Sequence, residues 1–409
     1  MILPDFSPTP YMLGIKTAAL PASLRRTNQR TVISLLLRLG CASRADLAKA
    51  AGISQPTAGK ITTELLQLGI LQEAGVPGNG DSFGSPRLGR PGQLLRLDNR
   101  RARFLAIELG VTETSVSALP VALQMEDEWT FTFPTPRSPE SWLRELKAVT
   151  AGLEGAPLWG VLISVPGIVD EVHGKVLFSP NLHWLEKVNL PRLVGQAWSL
   201  PVLLVQEIRA LALGQLTAGP GGEDFFLVDF GQGVGGAIVL DGKLYSHPNP
   251  LSGEFGHTPV SGNQRRCGCG AVGCLETLVS ERGLMESFQR AEGRRGESLT
   301  WADLSRHVSK HGLQPWLSET LDATAKVISG ALNVLGIHRV VVTGRLTELP
   351  GCVRRLSALI KEGAMWGRFG EVVCQAAPHR RAAGLVGFGI DRLILPANEG
   401  KGLLVKRRK

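Results

Sequence analysis

The feature that most restricts how this chain can fold is a cluster of one histidine and three cysteines in a glycine-rich stretch. The cluster consists of His257, Cys267, Cys269 and Cys274, at the spacing H-x9-C-x-C-x4-C. Thiolate and imidazole ligands in a four-coordinate set suit Zn²⁺, and the neighbouring glycines let the backbone fold around one ion. The spacing therefore predicts a structural zinc site. A disulfide loop is the alternative, but it leaves one of the three clustered cysteines over.

Length and composition predict a multidomain cytoplasmic protein. At 409 residues the chain exceeds what one hydrophobic core usually supports. Its apolar runs are shorter than the roughly 18 residues needed to span a bilayer, which predicts no membrane partner. Asp5 and Lys16 are unlike the pattern of a signal peptide. The other cysteines, Cys41, Cys352 and Cys374, are scattered, as is usual in a reducing compartment.

Positive charge is concentrated at the two ends of the chain. Residues 1–100 hold 12 Lys and Arg against 6 Asp and Glu, and residues 396–409 hold 5 against 1. The total of +9 therefore leaves about −1 for residues 101–395. A basic end on a near-neutral body is typical of DNA binding, because phosphate contacts supply most sequence-independent affinity. A surplus that only aids solubility stays possible, and the tail can either contact DNA or be disordered.

Helical periodicity and capping residues predict three short helices near the amino terminus. An apolar stripe from Asn28 to Leu39 forms the first helix. Ser43 caps the second helix, which ends at Gly52, and Ser54 caps a third helix that runs to about Leu68. The inward-facing residues of the second helix are predicted to be Leu47, Ala50 and Ala51. Three helices with a glycine-containing turn before the third predict a helix-turn-helix, although a small helical bundle with a polar face is the alternative.

The first turn of the third helix is small and polar, as expected of a helix end that enters the major groove. Glutamine can pair with an adenine edge, and lysine can reach the phosphate backbone. A Gly/Pro-rich connection after the third helix has the layout of a wing, where arginines can enter a minor groove. The predicted DNA-contacting residues are Ser54, Gln55, Thr57, Ala58 and Lys60 on the helix and Arg87 and Arg90 on the wing.

From about Phe104 onwards, short β-rich runs alternate with helical stretches. Strands that alternate with helices predict an α/β body, and its length allows two lobes with a cleft between them. The dipeptide at Asp241 and Gly242 predicts a β-hairpin. Helices are predicted at Glu207–Leu216 and at Leu321–Leu335.

Several motifs in this body identify a family resemblance. The stretches are VPGIVD, LFSPNLHW, GQGVGGAIVLDGKLY, GEFGHTPV and CGCGAVGCLE. On these motifs the chain resembles the ROK family of bacterial repressors and sugar kinases, over nearly its whole length. The resemblance implies an N-terminal winged helix-turn-helix, found in the repressor branch, followed by a two-lobed, actin-like sugar-kinase fold. The predicted domains are an extension (1–24), the DNA-binding domain (25–97), the ROK sugar-kinase-like domain (98–395) and a basic tail (396–409).

The resemblance also implies a sugar site. Its metal ligands fall on the same histidine and three cysteines, and its sugar-contacting residues fall on Glu254, His257 and Glu276. Carboxylates accept paired hydroxyl groups, and a zinc-bound imidazole presents its second nitrogen as a fixed donor. Gly167 matches the turn that lies over the sugar. Outside this motif, each acid would be interpreted as a solvated carboxylate.

Two residues depart from the family where its kinases carry an Asn-Asp pair whose aspartate is the general base. Here the pair is Gln206 and Glu207, and the added methylene moves the carboxylate by about 1.5 Å. Displacements of about 1 Å can cost on the order of a hundredfold in rate. Both residues are predicted to line the sugar pocket, and no catalytic residue is assigned.

The nucleotide side departs further. The first phosphate loop of the family reads Asp-x-Gly-Gly-Thr-Lys, whereas this chain has Glu108, Val111 and Glu113 within it, and the last two oppose polyphosphate binding. The second loop has Gln232 in place of threonine, and Arg345 follows Gly344 where the family has a glycine pair. These departures predict that phosphoryl transfer has been lost and that ATP is not a cofactor.

The sequence thus predicts a DNA-binding transcriptional regulator, a repressor by resemblance, that controls sugar metabolism genes and senses a sugar through a degenerate kinase fold. Its partners would be an operator duplex, a sugar effector and further copies of itself, as a homodimer or homotetramer. One alternative is an active ATP-dependent sugar kinase that carries a DNA-binding domain. Another is a ligand-independent regulator, because Gln206 and Glu207 alter part of the sugar pocket.

Overall fold

The structure, a computed structural model, describes residues 21–74, 93–123, 129–153, 156–218, 224–246, 251–293 and 299–395, without the side chains of residues 21–23. Among these residues the chain divides into two compact units, residues 21–96 with Leu395 and residues 97–394. No helix among the described residues is long and apolar enough to cross a membrane. The predictions for Arg87, Arg90 and the tail lie outside the described residues.

Among its described residues, the first unit contains three helices and three short strands. These are α1 (Pro21–Leu39), β1 (Cys41–Ser43), α2 (Arg44–Ala51), α3 (Gln55–Gln67), β2 (Leu71–Glu73) and β3 (Leu94–Leu97). The predicted caps are present: the Ser43 hydroxyl accepts from the Asp46 backbone N–H at 3.2 Å, and Gly52 ends α2 at φ 64°. The side chain of Ser54 likewise accepts from the Thr57 backbone N–H.

The sequence missed or misplaced three details of this unit. Helix α1 begins at Pro21 rather than at Asn28, and the three-residue strand β1 was not predicted. This strand pairs antiparallel with β3, in a sheet of order β1-β3-β2. The predicted inward face of α2 is wrong at Ala50, which is exposed, whereas Ala48 is buried beside Leu47. Periodicity alone does not fix which flank of a stripe the neighbouring helices cover.

The second unit contains twelve strands and nine helices among its described residues. The strands are β4 (Phe104–Leu109), β5 (Glu113–Leu119), β6 (Trp129–Pro134), β7 (Gly160–Val165), β8 (Ile168–Asp170), β9 (Lys175–Phe178), β10 (Val202–Gln206), β11 (Phe225–Phe230), β12 (Val234–Leu240), β13 (Lys243–Leu244), β14 (Arg339–Gly344) and β15 (Val373–Ala376). The helices are α4 (Pro139–Thr150), α5 (Leu190–Gly195), α6 (Glu207–Ala218), α7 (Glu276–Val279), α8 (Glu281–Ala291), α9 (Trp301–His311), α10 (Pro315–Leu335), α11 (Cys352–Gly363) and α12 (Arg381–Gly389). The turn at Asp241 and Gly242 has positive φ at both residues, as a type I′ hairpin requires.

The two large sheets of this unit have the same topology. One has the order β10-β7-β4-β5-β6 and the other β13-β12-β11-β14-β15. In each sheet, the strand that comes first in the chain (β4 or β11) pairs antiparallel with the next strand (β5 or β12). The same strand pairs parallel with the fourth strand in the chain (β7 or β14). Each sheet has its own apolar cluster, one around Trp142 and Leu146 and one around Leu321 and Ile328. The α/β body is therefore built from two repeats of one strand pattern. The carboxyl ends of β4 and β11, the first strands of the two repeats, line one cleft.

Helices α6 and α12 pack with their backbones in close contact. A Cβ at Gly384 would collide with the carbonyl oxygen of Ala210, and one at Gly214 would collide with that of Arg380. Small residues at both positions let the helix axes approach closely. This packing fixes the first residues of the two helices relative to each other.

Gly384→Ala is expected to destabilise the protein by about 1–3 kcal/mol, because the added methyl group must push α6 and α12 apart. The matched control is Gly330→Ala in α10, an exposed helical glycine whose Cβ would meet nothing within 4 Å. That control should gain about 0.5–1 kcal/mol, since alanine is the better helix former. Urea unfolding monitored by circular dichroism measures both. Equal midpoints for the two variants would contradict the close-packing argument.

Candidate functional site

The predicted metal ligands come together at one point. A short 3₁₀ turn, Phe255–His257, presents the histidine, and the following loop presents the three cysteines, of which Cys267 and Cys274 are buried. One ligand atom from each of the four residues lies within 4.8 Å of all the others. Cys269 Sγ lies 3.8 Å from Cys274 Sγ, and Cys267 Sγ lies 3.6 Å from His257 Nδ1. A tetrahedral zinc ion requires about 3.8 Å between sulfurs and about 3.6 Å between sulfur and nitrogen. The cluster could therefore hold a metal ion of this kind.

Protein contacts hold this loop in shape. Arg265 donates to the carbonyl oxygens of Thr277 and Gly283, at 2.7 Å and 3.1 Å, and to Ser287 Oγ at 2.8 Å. Asn263 Nδ2 donates to the Cys274 carbonyl oxygen at 3.1 Å. The ligand positions are thus supported by helices α7 and α8.

Two of the cluster's thiols lie in surroundings that disfavour their thiolate forms. Burial raises the pKa of Cys267 to about 12, and it also raises the pKa of Cys274. Because a metal binds the thiolate form, an ion that enters must displace the thiol protons. Metal affinity should therefore fall as the pH falls.

The imidazole of His257 connects the cluster to the cleft. Its Nδ1 faces the sulfurs, and its Nε2 lies 3.5 Å from Glu254 Oε2. Glu254 Oε1 accepts from Gln206 Nε2 at 3.2 Å. Burial raises the pKa of Glu254, while His257 and the Gln206 hydrogen bond oppose that shift. Glu276 accepts from the Val234 backbone N–H at 3.0 Å, with its other oxygen 3.6 Å from Cys267 Sγ.

All six residues predicted to contact sugar line one cavity of about 530 Å³ in the second unit. They are Gly167, Gln206, Glu207, Glu254, His257 and Glu276. Gly167 has a φ of 94°, and a Cβ there would collide with the Phe178 carbonyl oxygen, so the turn requires glycine. A cavity of this size that is lined by convergent polar groups suits a small carbohydrate.

Glu207 faces a partner that the sequence did not reveal. Arg381 Nη2 pairs with Glu207 Oε1, and Arg381 Nε lies 3.5 Å from Glu108 Oε2. The arginine side chain is only 12% exposed. Burial raises the pKa of Glu108, and the Arg381 guanidinium opposes that shift. The Arg381 guanidinium therefore pairs with two carboxylates. One belongs to the position of the family's general base, and the other to its first phosphate loop.

The second sheet holds a matching contact. Asp229 Oδ1 accepts from Thr343 Oγ1 at 2.6 Å and lies 2.7 Å from His379 Nε2. This hydrogen bond raises the pKa of His379. Asp229, His379 and Arg381 were all missed from sequence, because none belongs to a recognised motif.

The substituted residues of the nucleotide side are paired with acids. Gln232 Nε2 donates to Glu281 Oε2 at 2.7 Å. Arg345 lies 3.7 Å from the same oxygen of Glu281 and 3.1 Å from Glu348 Oε2. With Glu113 exposed on the same cavity, this end is rich in carboxylates.

In the first unit, α3 is the helix predicted to enter the major groove, here called the reading helix. It exposes some of its predicted contact residues and buries another. Gln55 and Lys60 are exposed, and Thr57 is half-buried. The prediction for Ala58 is wrong, because its side chain is fully buried and is not available to a base edge. Thr63 is exposed one turn beyond Lys60, and sequence reasoning missed it. The hydroxyl of Ser54 is hydrogen bonded to Thr57 Oγ1 at 2.8 Å.

The duplicated α/β body with its polar cleft and His/Cys cluster defines a sugar-kinase fold, here preceded by a helical unit consistent with a helix-turn-helix. The family model that matches residues 104–390 is that of the ROK family. The chain therefore belongs to the ROK family.

Relatives include both repressors and kinases. A xylose repressor of Caldicellulosiruptor bescii is 27% identical over 77% of this chain and 81% of its own length. An N-acetylmannosamine kinase of Salmonella newport is 28% identical over 70% of this chain and 97% of its own length.

Solved structures share the fold. A ROK family transcriptional regulator, described as a homologue of the E. coli MLC protein, has a TM-score of 0.67 at 18% identity and covers 90% of this chain and 97% of its own. A ROK family glucokinase from Streptomyces griseus has a TM-score of 0.57 at 23% identity and covers 69% of this chain. The regulator's likeness thus extends over more of the chain than that of the kinase.

Proposed function

We propose that this protein is a sugar-responsive DNA-binding repressor whose kinase-like body binds a sugar without phosphorylating it. The observation that carries the proposal is the presence, in one chain, of a capped reading helix at residues 55–67 and a ROK body. Relatives named xylose repressor align with 64–77% of this chain and the kinase relative with 70% of it, so the N-terminal helical unit, and not the length of these alignments, favours the repressor. This function places the protein in the cytoplasm, with residues 25–97 as the DNA-binding domain.

The sugar would be recognised by the residues that line the cavity. Glu254 and Glu276 offer carboxylate oxygens to pairs of hydroxyls, and His257 Nε2 can donate to another. We assign Zn²⁺ to His257 and the three clustered cysteines, in a structural role. When bound, the ion would fix the orientation of the imidazole ring and of the loop around it.

Phosphoryl transfer is not part of this proposal, because the cavity is lined by several carboxylates, including Glu113, Glu281 and Glu348, which repel the phosphates of a nucleotide. Arg381 occupies one oxygen of Glu207. The other oxygen can accept a hydrogen bond from a bound sugar.

Control of DNA binding would follow from the cleft between two repeats. A sugar that contacts both repeats favours one arrangement of them and shifts the population towards it. In a twofold dimer or a dimer of dimers, such a shift would alter the spacing of paired reading helices on an inverted-repeat operator.

A mobility-shift assay tests both halves of the proposal. Genomic fragments from the protein's own locus are titrated with purified protein, alone and with D-xylose, D-glucose or N-acetyl-D-mannosamine. We expect a sequence-selective shift that one of these sugars weakens at least about tenfold, a coupling of about 1.4 kcal/mol. The absence of a selective shift would refute the repressor. A shift that ignores every sugar would favour a ligand-independent regulator.

An active kinase is the second candidate, since the kinase relative matches nearly its full length. A coupled assay of ADP release with the same sugars distinguishes the two functions. Turnover within the usual range of about 1–100 per second would establish a kinase. We expect no sugar-dependent ADP release above the background of a Glu207→Gln variant.

A further inference from the structure

The two repeats of the body carry an acid at the same position of their first strands. Glu108 is the fifth residue of β4, and Asp229 is the fifth residue of β11. Each acid is held by a basic side chain from one short segment at the start of α12. Arg381 lies against Glu108, and His379 lies against Asp229. This segment therefore contacts equivalent points of both repeats at the floor of the cleft.

The charge of Arg381 is electrostatically unfavourable at its place in α12 unless nearby carboxylates compensate it. As the first residue of α12, it places a positive charge at the positive end of a helix dipole. Glu207, the first residue of α6, lies at a helix end that favours its charge. The close approach of the two helices places the start of α12 against Gly214 in α6, and from there the Arg381 side chain reaches Glu207. The arginine is thus held by its carboxylate partners and by backbone packing.

Glu207 also adjoins the proposed sugar residues. Its chain neighbour, Gln206, donates to Glu254, while Glu207 itself turns to Arg381. The junction of β10 and α6 therefore sends one side chain towards the proposed sugar residues and the next towards the guanidinium. All of these groups line the same cavity.

We propose that Arg381 is a positioning residue of the sugar site, which holds the Glu207 carboxylate in place as a hydroxyl acceptor. This inference rests on the proposed sugar-binding function. Without the guanidinium, Glu108 and Glu207 would face each other with no shared cation, and like charges at that range repel or take up a proton. Asp229 and His379 are two further titratable neighbours of this group. The Glu207 carboxylate would then leave the place where it meets the sugar.

Calorimetric titration of the full-length protein tests this role. The probe is whichever of D-xylose, D-glucose and N-acetyl-D-mannosamine binds the native protein most tightly. Arg381→Gln should lower the affinity for this sugar at least about tenfold, because the displaced Glu207 carboxylate no longer makes its charge-assisted hydrogen bond to the sugar. Arg381→Lys, which keeps the charge but not the fork of donors, should remain within about threefold of the native affinity. Arg392→Gln is the control, an exposed arginine beyond the end of α12 whose guanidinium lies over the Phe388 ring.

A double-mutant cycle separates positioning from general structural damage. If Arg381 acts through Glu207, the pair of changes Glu207→Gln and Arg381→Gln should lower affinity no more than Glu207→Gln alone. Additive losses, or native affinity in Arg381→Gln, would overturn the positioning role while leaving the proposed function standing. If Arg381→Gln does not fold, loss of affinity in Arg381→Lys as large as in Glu207→Gln would also overturn it. No binding of any of the three sugars by the native protein would instead refute the proposed function and this inference with it.

Discussion

Cys274→Ser is expected to abolish metal binding and to destabilise the body by about 4 kcal/mol when the native protein is saturated with metal. Cys274 is buried, and its sulfur lies 3.8 Å from that of Cys269. Removing one of four ligands leaves an open site, and a metal present at a thousandfold its Kd supplies about 4 kcal/mol of folding stability. Purified native protein should contain about one zinc per chain by elemental analysis, and the variant should contain almost none.

The matched control is Cys41→Ser, which removes a cysteine that is exposed and outside the cluster. It should keep its zinc and unfold at the native temperature. Because His257 carries both a cluster contact and a contact to Glu254, Cys274→Ser should also weaken sugar binding. A variant that retains stoichiometric zinc would show that these four residues are not the ligand set. Native protein that holds no metal after preparation with zinc would show the same.

Loss of operator binding is the second large effect, and it should follow from changes in the first turns of α3. Gln55→Ala should cost about 1–3 kcal/mol against the preferred operator and reduce the discrimination between bases, as expected of a base-edge contact. Lys60→Ala should weaken binding to all duplexes alike and reduce the salt slope of log K by about 1, as expected of a phosphate contact. Fluorescence anisotropy at several salt concentrations separates these two behaviours.

Two controls match these substitutions. Gln67→Ala removes an exposed glutamine from the far end of the same helix, and Lys326→Ala removes an exposed lysine from α10 of the body. Both should bind the operator as the native protein does. If Gln67→Ala is as damaging as Gln55→Ala, the face of α3 that reads DNA has been wrongly assigned.

Sequence reasoning succeeded where the determinants are local. The Ser43 and Ser54 caps and the Gly52 stop were predicted because each depends on residues within one turn of a helix. The hairpin at Asp241 and Gly242 was predicted for the same reason. The α/β body followed from strands long enough to show β-rich runs.

The errors have a common origin in packing. A stripe of small and apolar residues shows that a helix is amphipathic, but neighbouring helices decide where the buried arc ends. Ala50 and Ala58 were each placed about one position away from the correct side of that arc. The strand β1 is only three residues long, too short for an alternating pattern to be recognised.

The sequence by itself predicted four side chains that come together as a possible metal site, and six residues that line one cavity. Four ligands in one short loop need only local chain geometry to meet, and the family motifs specify residues that lie on neighbouring loops. Only the tertiary structure decided what Glu207 does. Arg381 is remote from Glu207 and Glu108 in the sequence, and it reaches them because glycines let α6 and α12 pack backbone to backbone. A charge-pair partner that depends on the docking of distant helices leaves no periodicity or spacing along the chain.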